Sequence, residues 1–174
     1  MSSARTDVPR RRTQFAPMTP ALRPATAADA PRVASLLIDT RAAFMPYAPS
    51  AHPEVELRAW VASSLVPSGG VMVAEREGRV VAAMATERSD AFSWITQMAV
   101  DPALVGQGIG SLLLTQALRT LARPIRLYTF QANTGARRFY ERHGFRPIRL
   151  TDGHANEERC PDVLYELAAP GDRA

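Results

Sequence analysis

Three glycines at alternate positions, Gly106, Gly108 and Gly110, form the pattern in this sequence that most directly suggests chemistry. An apolar strand-like segment stops just before them at residues 101–102, because the proline there lacks an N–H and restricts its neighbour. Behind the glycines, apolar residues recur every three or four positions, as on the buried face of a helix. Such a turn exposes backbone N–H groups at the positive end of a helix. We therefore expect a phosphate or pyrophosphate site, although a turn that binds nothing would show the same glycines.

Two common nucleotide-binding motifs do not fit this turn. A P-loop requires Gly-Lys-Ser/Thr, and the chain contains no lysine. A Rossmann motif requires G-x-G-x-x-G at the first turn of a βαβ series, whereas these glycines follow G-x-G-x-G after strands predicted to be antiparallel. Another class of phosphate binder has to be considered.

The predicted elements follow the order β-α-α-β-β-β-α-β-α-β-β. This order predicts one α+β domain, at residues 21–168, with a mixed and mostly antiparallel sheet flanked by about four helices. Residues 1–20 are expected to be a disordered basic tail and residues 169–174 a frayed end. The predicted strands are 21–23, 71–75, 80–87, 91–100, 125–129, 145–150 and 163–167. The predicted helices are 30–45, 54–65, 108–123 and a last helix that is capped by Asn133 and ends at His143.

Charge and composition restrict the possible partners. The net charge is +4, and all 21 basic residues are arginine. The 20 N-terminal residues hold four arginines against one aspartate, so the predicted domain is close to neutral. We therefore expect no nucleic-acid partner. A single cysteine and the absence of a long apolar run favour a cytoplasmic protein without membrane association.

A second segment, residues 133–145, follows the pattern N-x-x-A-x-x-F-Y-x-x-x-G-F. Together with the glycine turn at 105–110 and Val-Asp-Pro at 100–102, it resembles the GNAT acetyltransferase superfamily. The turn of that family reads Arg/Gln-x-x-Gly-x-Gly/Ala. Val105 departs from it, because the family usually has Arg or Gln there, and one side-chain contact to phosphate is absent.

The resemblance implies acetyl-CoA as co-substrate, and we expect no metal. It further implies that the strand entering the turn and the strand after its helix splay apart, with the pantetheine arm between them. Tyr140 would protonate the departing thiolate, while Phe139 would point into the core. The residues expected to contact the cofactor are Met98, Ala99, Val100, Val105, Gly106, Gln107, Gly108, Ile109, Gly110, Ser111, Asn133 and Tyr140.

The acceptor side is less defined. Phe44, Tyr47, Trp94 and His154 are expected to lie there. Some family members use a glutamate on the strand entering the turn as a base, but this strand offers only threonine and glutamine. Glu87, His143, His154 or a water chain remain as alternatives. The acidic loop 151–162 would either attract a cationic amine or be a solvated loop.

The sequence thus predicts an N-acetyltransferase that moves the acetyl group from acetyl-CoA directly to a primary amine, carried by a small molecule or a peptide. A non-catalytic acyl-CoA-binding sensor is the alternative from another class. A nucleic-acid- or ribosome-associated acetyltransferase that uses the basic tail is a third hypothesis. A homodimer is compatible with the sequence.

Overall fold

The computed structural model describes residues 19–48, 50–169 and 171. The predicted basic tail, 1–20, lies almost wholly outside the described residues. The same holds for most of the predicted frayed end, 169–174.

Seven strands and four α-helices make up this part of the chain. The strands are β1 (Ala21–Pro24), β2 (Val71–Arg76), β3 (Arg79–Arg88), β4 (Ser93–Val100), β5 (Ile125–Phe130), β6 (Arg146–Leu150) and β7 (Asp162–Leu167). The helices are α1 (Ala30–Phe44), α2 (Glu54–Trp60), α3 (Ile109–Thr120) and α4 (Thr134–Arg142). One π-helical turn, Val61–Leu65, continues α2.

The strands form one sheet in the order β1-β2-β3-β4-β5-β7-β6. Every neighbouring pair is antiparallel except β4 and β5, which run parallel with α3 as the connection. The predicted α+β class and the mixed, mostly antiparallel sheet with about four helices are confirmed.

The sheet opens where its two halves meet. β4 and β5 pair only at Ser93↔Ile125 and Trp94↔Arg126, and no further pairing continues between these strands. On the other side of β4, the register with β3 shifts between Ala85 and Thr86, which is the signature of a β-bulge. A bulge bends its strand, and bulges are frequent beside functional sites. The splay that the resemblance implies is therefore present.

Helices cover both faces of the sheet. On one face, Leu113 and Leu114 of α3 are fully buried and pack with Leu127 of β5. On the other face, Val33 and Leu36 of α1 form a second buried cluster with residues of β2, β3 and β4. Large apolar side chains buried in this way stabilise the fold by about 1.5–3 kcal/mol each, so the two layers hold β4 in a fixed position between them.

The helix predicted over 108–123 is too long. α3 ends at Thr120, and Leu121 already has an extended backbone with ψ of 134°. Pro124 disfavours a helical conformation at Arg123, because proline restricts the residue before it, so the helix could not have reached 123.

Candidate active site

The glycine turn links the bulged strand to α3. Asp101 follows the last residue of β4, Val100, and accepts a hydrogen bond from the Ala103 N–H, which starts the short 3-10 turn Pro102–Leu104. Gly106 and Gly108 then adopt positive φ angles of 88° and 82°. Side chains are strained in this left-handed region, so these two positions require glycine.

The backbone at the end of this turn presents unbonded donors. The Leu112 N–H donates to the Gly108 carbonyl and starts the hydrogen-bond ladder of α3. The N–H groups of Ile109, Gly110 and Ser111 precede that ladder and have no intrahelical acceptor. They lie at the positive end of the helix macrodipole, which suits an anionic ligand.

A cleft of about 910 Å³ extends from this turn through the gap between β4 and β5. Ten of the twelve residues that the sequence assigns to the cofactor line it: Met98, Val100, Val105, Gly106, Gly108, Ile109, Gly110, Ser111, Asn133 and Tyr140. The other two do not. Ala99 is buried in the core cluster of α1, and the Gln107 side chain accepts a hydrogen bond from Arg76 at 3.0 Å.

The backbone of β4 faces the cleft at alternate residues. The Asp101 N–H donates to the Val81 carbonyl, on the β3 side. Because backbone N–H and C=O groups alternate between the two edges of a strand, those of Met98 and Val100 point toward the gap. The Thr40 hydroxyl accordingly donates to the Val100 carbonyl at 3.1 Å from the side away from β3.

Tyr140 on α4 lies at the bottom of the gap. Its side chain is only 7% exposed, yet its hydroxyl reaches the cleft and donates to the Met98 sulfur at 3.7 Å. Burial raises the pKa of the Tyr140 phenol above its ordinary value. The phenol therefore remains protonated, and able to donate, at neutral pH.

Phe139 departs from what the resemblance implies. Its ring is only partly buried and lines the cleft, where it lies 3.5 Å from the position a Cβ on Gly110 would take. Tyr140 is the more deeply buried of the two rings and packs against Phe145 and Tyr165. Neighbouring helix residues point about 100° apart. Here the Phe139 ring forms part of the cleft wall, while the Tyr140 ring lies in the core and its hydroxyl reaches the cleft.

Asn133 caps α4, as its position before the helix predicts. Its side-chain oxygen accepts the Ala136 N–H at 3.0 Å. The same residue lines the cleft, so capping fixes the side chain at the edge of the gap.

Three of the four residues expected on the acceptor side lie at or next to the cleft. Phe44 lines it directly. Tyr47 packs edge-on against Phe130, and Trp94 stacks on Tyr128, with both partners lining the cleft. The fourth, His154, has 82% of its side chain exposed and is not among the lining residues.

The expected bases, Glu87, His143 and His154, do not line the cleft. Two other carboxylates do, Glu158 and Asp162. Asp162 is buried, and its oxygens accept hydrogen bonds from Thr151 and Asn156. Glu158 forms an ion pair with Arg41 of α1. Of the two carboxylates, Glu158 is thus the one that remains partly exposed to the cleft.

Several residues of the site carry no motif in the sequence. Tyr128 and Phe130 lie at the end of β5, and alternation along a strand was their only signal. Arg142 and Arg149 also line the cleft, although their neighbours suggest only solvated helix and strand surfaces.

Comparison with known families places this geometry in a class. Residues 37–145 match the model of the Acetyltransferase (GNAT) family. The match spans more than half of the chain, so the protein belongs to the GNAT family of acetyltransferases. The resemblance drawn from the glycine turn and the 133–145 segment is confirmed.

Solved structures share the fold. YjaB from Escherichia coli in its apo form is 20% identical with a TM-score of 0.69, over 87% of this chain and 100% of that chain. The PaiA N-acetyltransferase from Thermoplasma acidophilum, in complex with coenzyme A, is 15% identical with a TM-score of 0.68, over 87% and 100%. The ribosomal-protein-S18-alanine N-acetyltransferase from Escherichia coli is 17% identical with a TM-score of 0.65, over 89% and 99%.

The search of curated proteins gave no match. Within residues 19–48, 50–169 and 171, no helix is long and apolar enough to cross a membrane. The same residues contain no group of three or more His, Cys, Asp or Glu side chains that could hold a metal ion.

Proposed function

We propose that the protein is an acetyl-CoA-dependent N-acetyltransferase that transfers the acetyl group directly to a primary amine. The observation that carries this proposal is the gap between β4 and β5. It ends at the unbonded N–H groups of the glycine turn, and the Tyr140 hydroxyl points into it. Direct transfer requires that both reactants occupy this cleft together.

The residues present fit a coenzyme A thioester. The N–H groups of Ile109, Gly110 and Ser111 would bind its pyrophosphate, and Gly106 and Gly108 keep side chains out of the way. The outward-facing backbone of Met98 and Val100 would pair with the pantetheine amides, as a peptide strand adds to a sheet edge. The PaiA neighbour, solved with coenzyme A, supports this choice of ligand.

Acetyl-CoA, when bound, supplies the acetyl group and leaves as a thiol. The protein must hold the thioester, protonate the sulfur and remove a proton from the amine. Tyr140 would give its phenolic proton, because among the described residues its hydroxyl donates only to the weak thioether acceptor of Met98. We assign it this role.

Glu158 would receive the amine proton. It lines the cleft, and its partner Arg41 fixes its position from α1. Asp162 is a poorer base, since Thr151 and Asn156 already donate to its carboxylate. A water molecule between amine and carboxylate would serve equally for this transfer.

Two of the neighbours are named as N-acetyltransferases. One of them acetylates an alanine of ribosomal protein S18. Its likeness to this chain is in the fold, which supports amine acetylation as a reaction class and does not carry over that substrate.

Val105 favours a second candidate function, a non-catalytic acyl-CoA-binding domain. It is exposed at the cleft where a family member would usually place Arg or Gln. Weaker phosphate binding would suit a reversible sensor of acyl-CoA concentration.

Release of free coenzyme A, measured with a thiol reagent across a panel of amines, separates the two functions. Isothermal titration with coenzyme A on the same preparation reports binding independently. Turnover above the rate of thioester hydrolysis supports the transferase. Binding of coenzyme A without turnover on any amine favours the sensor, and absence of binding contradicts both.

We assign this activity to residues 21–168 and none of it to the segments 1–20 and 169–174. A chain that lacks residues 1–20 should retain kcat and the affinity for coenzyme A. A loss of either would bring the tail into the function.

A further inference from the structure

A continuous row of side chains crosses the face of the sheet opposite α3. The Arg126 guanidinium lies 3.5 Å from the centre of the Phe92 ring. Phe92 meets Trp94 edge-on at 6.3 Å, and Trp94 stacks on Tyr128 at 6.0 Å with an interplanar angle of 8°. The Tyr128 hydroxyl accepts a hydrogen bond from Arg149. The row thus begins and ends with a guanidinium.

This row fixes the direction of Arg149. At the far end, Arg126 forms an ion pair with Glu166 at 2.7 Å, which anchors the stack on β7. At the near end, Tyr128 of β5 and Arg149 of β6 are both register partners of Leu164. The two side chains therefore approach each other from neighbouring positions on either side of β7. An arginine held this way needs little ordering to bind a ligand.

Arg149 has a free charge at the cleft. Among the residues that the structure describes, no carboxylate lies within 4.0 Å of its guanidinium, whereas Arg126 and Arg41 are each paired with a glutamate. Arg149 lines the cleft beside Tyr128, whose ring is 46% exposed. Arg149 thus places an unpaired positive charge at the cleft, next to the open aromatic surface of Tyr128.

The acidic loop 151–162 does not neutralise the charge of Arg149. Glu158 is neutralised by Arg41, and the buried Asp162 accepts hydrogen bonds from its own loop. Glu157 contacts His52 on the surface. The sequence left open whether this loop attracts a cationic amine. The side chains that line the cleft do not favour that attraction.

From this arrangement we infer that the acceptor amine also carries an acidic group, a carboxylate, and that Arg149 binds that group. A guanidinium binds such oxyanions through two parallel hydrogen bonds and fixes their orientation. Tyr128 positions Arg149 and offers its ring to the body of the substrate. This inference rests on the proposed function and specifies the class of its acceptor.

The test compares acceptors that carry a carboxylate with related amines that lack it. L-Phenylalanine and L-leucine are compared with L-phenylalaninamide and L-leucinamide, and with the acid-free amines phenethylamine and isoamylamine. Release of coenzyme A gives kcat/KM for each. We expect the acids to exceed their amides by about 10-fold or more, since hydrogen bonds between two charged groups are stronger than those to a neutral amide.

Variants then assign the preference to a residue. Arg149→Gln should reduce the ratio of kcat/KM for acid to that for amide by about 10–100-fold. Arg146→Gln is the matched control, because Arg146 is an exposed arginine on the same strand that does not line the cleft. It should leave the ratio unchanged. Tyr128→Phe keeps the stacked ring and removes the hydroxyl, so the ratio should fall by a smaller factor.

Two results would overturn the inference while the proposed function stands. One is turnover of the amides or acid-free amines as fast as of the acids. The other is an acid preference that persists in Arg149→Gln. If that variant does not fold, an unchanged ratio in Tyr128→Phe has the same meaning. Absence of turnover on every amine contradicts the proposed transferase function, and the inference is lost with it.

Discussion

The hydroxyl of Tyr140 lies 3.7 Å from the sulfur of Met98, across the gap in which the sheet divides. A thioether is a weak acceptor, so this contact leaves the hydroxyl available for a stronger partner. The rest of the Tyr140 ring is enclosed by Phe145 and Tyr165. Tyr140 thus has a fixed ring and a hydroxyl proton that it can donate where the coenzyme A thiolate would form.

Replacing Tyr140 by phenylalanine should lower kcat by about 10–10³-fold, because it removes the donated proton. The affinity for coenzyme A, measured by titration calorimetry, should change little, since the ring packing is retained. Tyr165→Phe is the control, as that buried hydroxyl donates to Glu141 and does not line the cleft. It should reduce stability by about 1–3 kcal/mol and leave kcat unchanged. An unchanged kcat in Tyr140→Phe would remove Tyr140 from the mechanism.

The alkaline side of the pH–rate profile tests the state of the same phenol. Burial raises its pKa above the ordinary value of 10.0, so the donating form persists below that pH and is lost only as pH rises through the higher folded-state value. We expect kcat at saturating substrates to show no decline between about pH 8 and 10. A decline in that range that disappears in Tyr140→Phe would contradict the raised pKa, because it would show the Tyr140 phenol losing its proton at or below its ordinary value.

Gly108→Ala should weaken coenzyme A binding by about 10-fold or more. A Cβ at Gly108 meets no protein atom within 4 Å, so it would protrude toward the ligand, and the positive φ adds strain of about 1–2 kcal/mol. Gly78→Ala provides a matched control, because Gly78 also has positive φ and open space but lies in the β2–β3 turn. Thermal melts should show a similar loss of stability in both variants. Equal coenzyme A affinity in both would refute the role of the glycine turn.

The parts of the site that the sequence could predict are local. The glycine turn, the Asn133 cap and the strand that ends just before Asp101 each depend on residues within a few positions of one another. Steric and hydrogen-bonding rules act at that range, so type and spacing are sufficient to indicate them. The family resemblance rests on the glycine turn and on residues 133–145.

The parts that the sequence could not predict depend on long-range contacts. Arg41 and Glu158 meet although 117 positions separate them, and Tyr128 and Arg149 meet across β7. The relative burial of Phe139 and Tyr140 depends on how α4 rotates against the sheet. No local pattern specifies such a rotation, because either ring could occupy the core.

Glu158→Gln should lower kcat/KM by about 10–10³-fold at neutral pH, because the amide cannot accept the proton of the acceptor amine. The deficit should shrink as pH rises above the pKa of the free amine, where the substrate needs no base. Glu157→Gln is the control next to it in sequence, since among the described residues the Glu157 side chain hydrogen-bonds only to the exposed His52.

Glu158→Gln also weakens the ion pair with Arg41, so a second variant separates this effect from the loss of the base. Arg41→Met breaks the same pair and keeps the carboxylate. If Glu158 acts as the base, Arg41→Met should reduce kcat/KM by a smaller factor, and that deficit should not depend on pH. Equal deficits in the two variants at every pH would show that Glu158 holds the acidic loop in place against α1 and takes no part in proton transfer.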